Sequence, residues 1–451
     1  MHRLLNDEDS VINSGNELLL TTVASSNIED EQTPRTSGSG RLSAIFLIIN
    51  AALGAGLLNF PQAFDQAGGI VTAIIVQAVL LFWIVGALLI LAHCADATCA
   101  RTLQDALEGL YGRPGLIACS VAVALYCFGT CVTFLIIIGD QFDRVLSSVH
   151  GVDFCHYWYM NRSFTVAVTS CAFILPLCYS KRIDFLKYVS SLGVVAVLYI
   201  VALIVYQKCM GNFVPGPIKT SPTNWTDVFL VVPVICFGYQ CHVSVIPIYA
   251  CLRERTMANF ALCSSVAIFV CVAAYSLTGI FGYLTFGSFV TSDVLESYSG
   301  SNAIVLIGIV AIAIKTYTTY PILLFCGREA VSNLWTNLLY SNESDVAIRE
   351  PRRRVAIATV WFILTLVLAL VSPDIGSVIN ILGSLAAIFI FVFPGLCLMQ
   401  SAFPLHLNKD KLKLVAGILF ILLGTFIFGV VFVQAIIHFY ENPIPSIKLC
   451  V

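Results

Sequence analysis

Apolar residues gather into eleven runs separated by short polar stretches, at roughly 43–64, 70–92, 115–139, 164–180, 187–207, 226–251, 258–284, 302–326, 355–372, 376–400 and 412–438. A helix needs about 20 apolar residues to cross a bilayer. The pattern therefore predicts an all-α integral membrane protein with about eleven transmembrane helices, the fourth of them short.

Two of the runs are interrupted. In the first, Asn50, the small-residue step Gly54-Ala55-Gly56 and Pro61 are poor choices for a lipid-facing helix. In the sixth, Pro233 removes a backbone donor, Gly238 permits an unwound turn, and Gln240 and His242 are polar near the expected midplane. A break within the hydrocarbon frees N–H and C=O groups that must find partners. Glycine and proline also occur in membrane helices simply to allow close packing. Two breaks five spans apart, each beside a polar side chain, favour a binding site instead. Interruptions at corresponding positions of two halves are the sequence mark of a secondary transporter.

Composition strengthens this reading. The chain is 58% hydrophobic and 11% charged, with a mean hydropathy of +0.90; a soluble domain carries about 25% charged residues. The net charge of −2 matters less than its distribution. Residues 1–40 are polar and acidic and are expected to form a disordered tail. They show no charged segment followed by an apolar one, so no cleaved signal peptide is expected. With the tail in the cytosol, the loops on that side carry fifteen lysines and arginines between Arg101 and Lys413, against Arg144, Arg162, Lys208, Lys219 and Lys448 on the other. The positive-inside rule then gives a cytosolic N-terminus and, with eleven spans, an exofacial C-terminus. The sequons at Asn161 and Asn224 fall on the exofacial side, where glycosylation is possible; that at Asn342 falls on the cytosolic side. Most of the seventeen cysteines lie inside spans as apolar filler. Cys155 and Cys209 lie at exofacial helix ends and either form a bridge or stay free.

The chain resembles the sodium-coupled neutral amino acid transporters of the amino acid/auxin permease group, and within them the lysosomal glutamine and asparagine type. The residues that carry the likeness are Asn50 to Pro61, Ile138 to Gln141, Ile235 to His242, Leu284 to Gly287, Tyr320 to Ile322 and Phe393 to Leu398. The resemblance implies two inverted five-helix repeats, residues 41–207 and 226–400, with broken helices 1 and 6. An eleventh helix and an exofacial C-terminus follow in 401–451. It also implies alternating access, a neutral amino acid as substrate, a sodium ion or proton as coupling cation, and a lysosomal location, with the plasma membrane as the alternative.

The chemistry can be read at the breaks. An amino acid is a zwitterion, and lipid rejects both charges. Its carboxylate needs donors, which the helix resuming after Gly54, Ala55 and Gly56 presents as free N–H groups at a positive dipole end. Its ammonium needs acceptors, which carbonyls released near Ala51, Ala52, Cys236 and Phe237 can supply. Gln240 and His242 either hydrogen-bond a side-chain amide or pin the unwound turn, and His242 can titrate in an acidic lumen. In the family, residues matching Asn50 and Thr319 contribute to a sodium site. Thr318 joins them here as a candidate, although such hydroxyls often bond back to their own helix.

Lys315, one turn before Thr318 and Thr319, departs from the family pattern. An intramembrane lysine costs about 2.5 to above 10 kcal/mol, depending on the scale. Either it snorkels to the surface, or its ammonium occupies or borders the cation site and weakens the case for sodium. Asp140 and Asp143 close the third span and read as a solvated helix end, with a part in gating as the sharper alternative. Arg352, Arg353 and Arg354 form a juxtamembrane basic cluster. No phosphate loop, metal cluster or catalytic triad is evident, so neither an enzyme nor a nucleic-acid partner is expected. The rival class is an amino acid sensor signalling to cytosolic partners through its tail. Deleting residues 1–38 separates the two, because a transporter keeps its flux and a sensor loses its output.

Overall fold

The first apolar run does not make one straight helix. Helix α1 (Arg41–Ala52) stops, Gly54 turns extended (φ −110°, ψ −162°), and a single tight turn covers Ala55–Asn59. Helix α2 (Phe60–Gln66) then resumes, 52° off the direction of α1. Glycine is a weak helix former, and Pro61 suits the first turn of a new helix, where its missing N–H costs nothing. The other elements are α3 (Ile70–Thr98), α4 (Leu103–Tyr111), α5 (Arg113–His150), α6 (Arg162–Thr169), α7 (Leu175–Cys178), α8 (Asp184–Met210), α9 (Val232–Gly238), α10 (His242–Ala250), α11 (Met257–Phe286), α12 (Ala303–Leu339), α13 (Glu343–Val371), α14 (Ile375–Ala387), α15 (Phe393–Gln400) and α16 (Asn408–Glu441). This computed structural model describes residues 40–151, 157–179, 184–211, 213–300, 302–339, 343–371, 374–402 and 408–441. Cys155, the Asn342 sequon side chain and the tail before residue 40 lie outside them.

Among the described residues, nine helical stretches are long and apolar enough to cross a membrane. The bent α1–α2 pair adds a tenth, and the shorter Arg162–Cys178 stretch supplies the fourth of the eleven expected. The fourth and tenth spans each contain a widened π turn, at Ser170–Ile174 and Ile388–Val392. The sixth span breaks between α9 and α10 across Tyr239–Cys241. The architecture is two five-helix repeats of opposite orientation, each opening with a broken helix, followed by α16.

Burial ranks the spans. The most apolar window of the sixth is 78% buried and that of the third 72%, against 28% for the ninth and eleventh. The sixth and third spans therefore form the centre, while Phe82, Phe173, Phe269 and Val371 project outward, as side chains facing lipid should.

Two details differ from the hydropathy pattern. Residues 103–111, read as loop, form α4, because Thr102 and Asp105 make a capping box and Leu103, Ala106 and Leu107 bury one face. Helix α5 continues past residue 139 to His150 and carries Asp140 and Asp143 inside it. Those two carboxylates are not a solvated helix end. Asp140 is buried, and Arg162 at the start of α6 lies 2.6 Å from Asp140 and 2.9 Å from Asp143. Hydropathy ends a span at the first charge, and here a partner from the next helix neutralises it.

Candidate binding site at the two breaks

The two unwound segments touch. A methyl group built on Gly56 would meet the Phe237 ring at 3.1 Å and the Gly238 Cα at 3.2 Å. One on Gly238 would meet the Phe60 ring at 3.0 Å and Tyr275 Cζ at 3.3 Å. Both approaches are tighter than ordinary van der Waals contact, so a side chain at either place would push its neighbours apart by a few tenths of an ångström. Gly54 differs: a methyl there would meet nothing nearer than the Ala52 carbonyl at 3.9 Å. It borders free space beside the N–H groups that open the Ala55–Asn59 turn.

The carbonyls released at the breaks divide between two partners. The Tyr275 hydroxyl, from α11, lies 2.7 Å from the Ala52 carbonyl and 2.8 Å from the Gly238 carbonyl, and the Gly54 N–H donates to it at 3.4 Å. The Lys315 ammonium, from α12, donates to the Leu53 carbonyl at 2.6 Å. Lys315 is buried, and its stem runs against Gly193 of α8, where a methyl would come within 2.9 Å of its Cγ. It does not snorkel. The Thr318 and Thr319 hydroxyls bond back to the Lys315 carbonyl at 2.9 and 2.8 Å, the ordinary helical arrangement. Asn50 is half-buried in the last turn of α1.

Cys236, Phe237 and Gly238 are all buried at the end of α9. Gln240 lies in the unwound turn, and its side-chain nitrogen has no partner among the described residues. His242 is fully buried and faces the Ile84 backbone on α3 without a well-formed hydrogen bond. The structure thus brings Ala52, Gly54, Ala55, Gly56, Phe237, Gly238 and Lys315 to one place and turns His242 toward the second span.

Tyr275 was not singled out by sequence. Nor was its setting: its ring stacks on Phe60 at 4.3 Å and meets Tyr239 edge-on at 4.9 Å, while Gln77 donates to the Tyr239 hydroxyl at 2.7 Å. A tyrosine within an apolar helix carries no signal of its own.

Polar layers lie on either side of the breaks. On the near face, where α1 begins, Asp96 pairs with Arg255 at 2.9 Å and accepts from the Tyr249 hydroxyl at 2.5 Å, and Arg41 pairs with Glu254 at 3.1 Å. On the far face, the loop between α11 and α12 is tied to two spans, the first and the third. Its Ser292 carbonyl accepts from Asn59 at 3.0 Å, its Asp293 from Gln141 at 2.9 Å, and its Tyr298 carbonyl from Arg144 at 2.7 Å. Burial raises the Asp293 carboxyl to about 7, and the charge of Asp140 adds to the rise. Glu296 is likewise lifted to about 7, by burial first and Asp293 second. Asn161 and Asn224 are exposed on this far face, each capping a helical turn.

Residues 37–437 match the family described as "Transmembrane amino acid transporter protein". Sodium-coupled neutral amino acid transporter 7 of Homo sapiens is 44% identical over 404 residues, which cover 86% of this chain and 86% of that protein. Solute carrier family 38 member 8 of Homo sapiens is 36% identical over 420 residues, covering 90% of this chain and 97% of its own. Among solved structures, MhsT in complex with L-phenylalanine is similar in fold, with a TM-score of 0.54 at 13% identity, over 88% of this chain and 98% of that one.

Proposed function

Since the chain belongs to the transmembrane amino acid transporter family, we propose that it is a secondary active carrier of neutral amino acids, glutamine and asparagine foremost, working by alternating access with a coupling cation. The observation that carries this reading is the meeting of the two breaks. N–H groups at Ala55 and Gly56, open space at Gly54, and carbonyls at Ala52, Leu53 and Gly238 converge within one buried region. That set offers donors to a carboxylate and acceptors to an ammonium, and few fixed charges for a side chain. A neutral amino acid fits it.

Lys315 is the proposed ion-coupling residue. Its ammonium already holds the Leu53 carbonyl of the first break, three residues after Asn50 in the chain, and Lys315 itself lies one turn before Thr319. Asn50 and Thr319 are the two positions at which the family resemblance puts sodium. The names of the relatives support a sodium-coupled carrier. The lysine makes a proton, or a sodium requirement weaker than theirs, the alternative to test. We place the near face in the cytosol, because of the basic loops on that side, and the site of action in the lysosomal membrane, with glycans at Asn161 and Asn224.

The test is uptake of a labelled amino acid panel into proteoliposomes, with sodium and proton gradients imposed separately. Glutamine should accumulate and cationic amino acids should not. Failure of every neutral amino acid to accumulate under either gradient would refute the proposal.

A further inference from the structure

Building on the proposed transport of amino acids, we infer that Tyr275 is a specificity-determining residue of the site: its hydroxyl joins the two broken helices and leaves one acceptor for the substrate's α-ammonium. The argument is one of counting. A phenol has one proton to donate, and Tyr275 places it between two carbonyl oxygens, Ala52 at 2.7 Å and Gly238 at 2.8 Å. At any moment one of the two carbonyls lacks that proton. Ala52 ends α1 and Gly238 ends α9, so both carbonyls sit where a helix has no further N–H to offer and where its dipole is negative. Two negative helix ends facing one hydroxyl call for a cationic donor, and the amino acid brings one.

The hydroxyl cannot move aside without unpacking its ring. Phe60 stacks on it at 4.3 Å, only 14° from parallel, and Tyr239 closes its edge at 4.9 Å. Phe60 opens the helix after the first break, and Tyr239 lies in the second, so the tyrosine is clamped by the segments it bridges. Its oxygen also accepts from Gly54 N–H at 3.4 Å, beside the free space at Gly54. The site therefore has an ammonium end at Tyr275 and a carboxylate end along Gly54 to Gly56.

A purely structural staple would have the same contacts, and the experiment separates the two roles. Binding is read as thermal stabilisation of the purified full-length chain by glutamine and by its des-amino analogue, the acid with the same side chain and no α-nitrogen. Tyr275→Phe keeps the ring and removes the hydroxyl. Recognition predicts that the variant, which leaves both the Ala52 and the Gly238 carbonyl open to the ammonium, binds glutamine roughly 10- to 100-fold more tightly, the weight of a hydrogen bond to a charged group, and binds the des-amino acid as the wild type does. Phe60→Leu, which loosens the ring but keeps the hydroxyl, should weaken both ligands by the same small factor. Should Tyr275→Phe fail to fold, Tyr275→Met serves, since it also removes the hydroxyl; it should favour glutamine over the analogue more than the wild type does. An equal change in both ligands, or none in either, in the hydroxyl variant would make Tyr275 a staple and overturn the inference. Because the readout is binding, absence of uptake by the wild type would count against the transport proposal alone.

Discussion

Lys315→Met removes the ammonium and keeps an unbranched chain against Gly193. In the wild type that ammonium donates to the Leu53 carbonyl at 2.6 Å, a charge-assisted bond of about 1.5–3 kcal/mol. Against it stands the cost of an ammonium within a membrane span, about 2.5 kcal/mol on insertion scales and more than 10 in simulations. On the insertion scale cost and bond are of similar size, so the variant should lose no more heat stability than a buried carbonyl left unpaired costs, about 1–3 kcal/mol. What it loses is chemistry. The Leu53 carbonyl is left without its donor, and an unpaired buried acceptor costs about 1–3 kcal/mol. A sodium ion can recover that energy. The assay is glutamine uptake into proteoliposomes, with sodium replaced by choline, from pH 5 to 8. The wild type should respond weakly to sodium and strongly to pH. Lys315→Met should gain a sodium response and lose pH dependence, with a smaller change in KM for glutamine. Strict sodium dependence in both proteins, with the same sodium affinity, would refute the reasoning and make Lys315 a bystander.

Gly54→Val should reach the membrane in normal amount and lose nearly all uptake, because the protein leaves room for the side chain and the substrate does not; normal uptake would move the site elsewhere. Gly238→Leu should lower thermal stability as well as flux, by about 1–3 kcal/mol for overpacking against Phe60 and Tyr275, measured as a fall in denaturation temperature. Asp293 and Glu296, held near 7 against about 4 in an unfolded chain, bind extra protons when folded, so the stability they contribute is greatest below pH 4 and is lost as pH rises through 7. Denaturation temperature should therefore fall from about pH 4 to about pH 8 in the wild type, most of it before pH 7, and fall less in Asp293→Asn/Glu296→Gln. Asn161→Gln and Asn224→Gln should each increase gel mobility by one glycan, and the double variant should no longer respond to glycosidase.

Sequence alone determined the membrane class and the two places where the chain must break. Both are local consequences. An apolar run about as long as the hydrocarbon is thick must be a helix, since no other single segment satisfies its own backbone there. Gly54-Ala55-Gly56 with Pro61, and Pro233 with Gly238, interrupt that helix by their own backbone limits. The lysine at 315 was also visible, because its expense is a property of the residue. Tertiary structure decided where the freed groups go. Nothing near Tyr275 in the chain says that its hydroxyl meets Ala52, 223 residues away, and Gly238, 37 away. Asp140 looked like a helix end until Arg162 came back across α5 to neutralise it. Thr318 and Thr319 had the right chemistry for an ion, yet their hydroxyls bond to their own helix. Hydropathy and propensity act over a few residues, whereas hydrogen bonds to an unwound turn come from whichever helices the fold packs beside it.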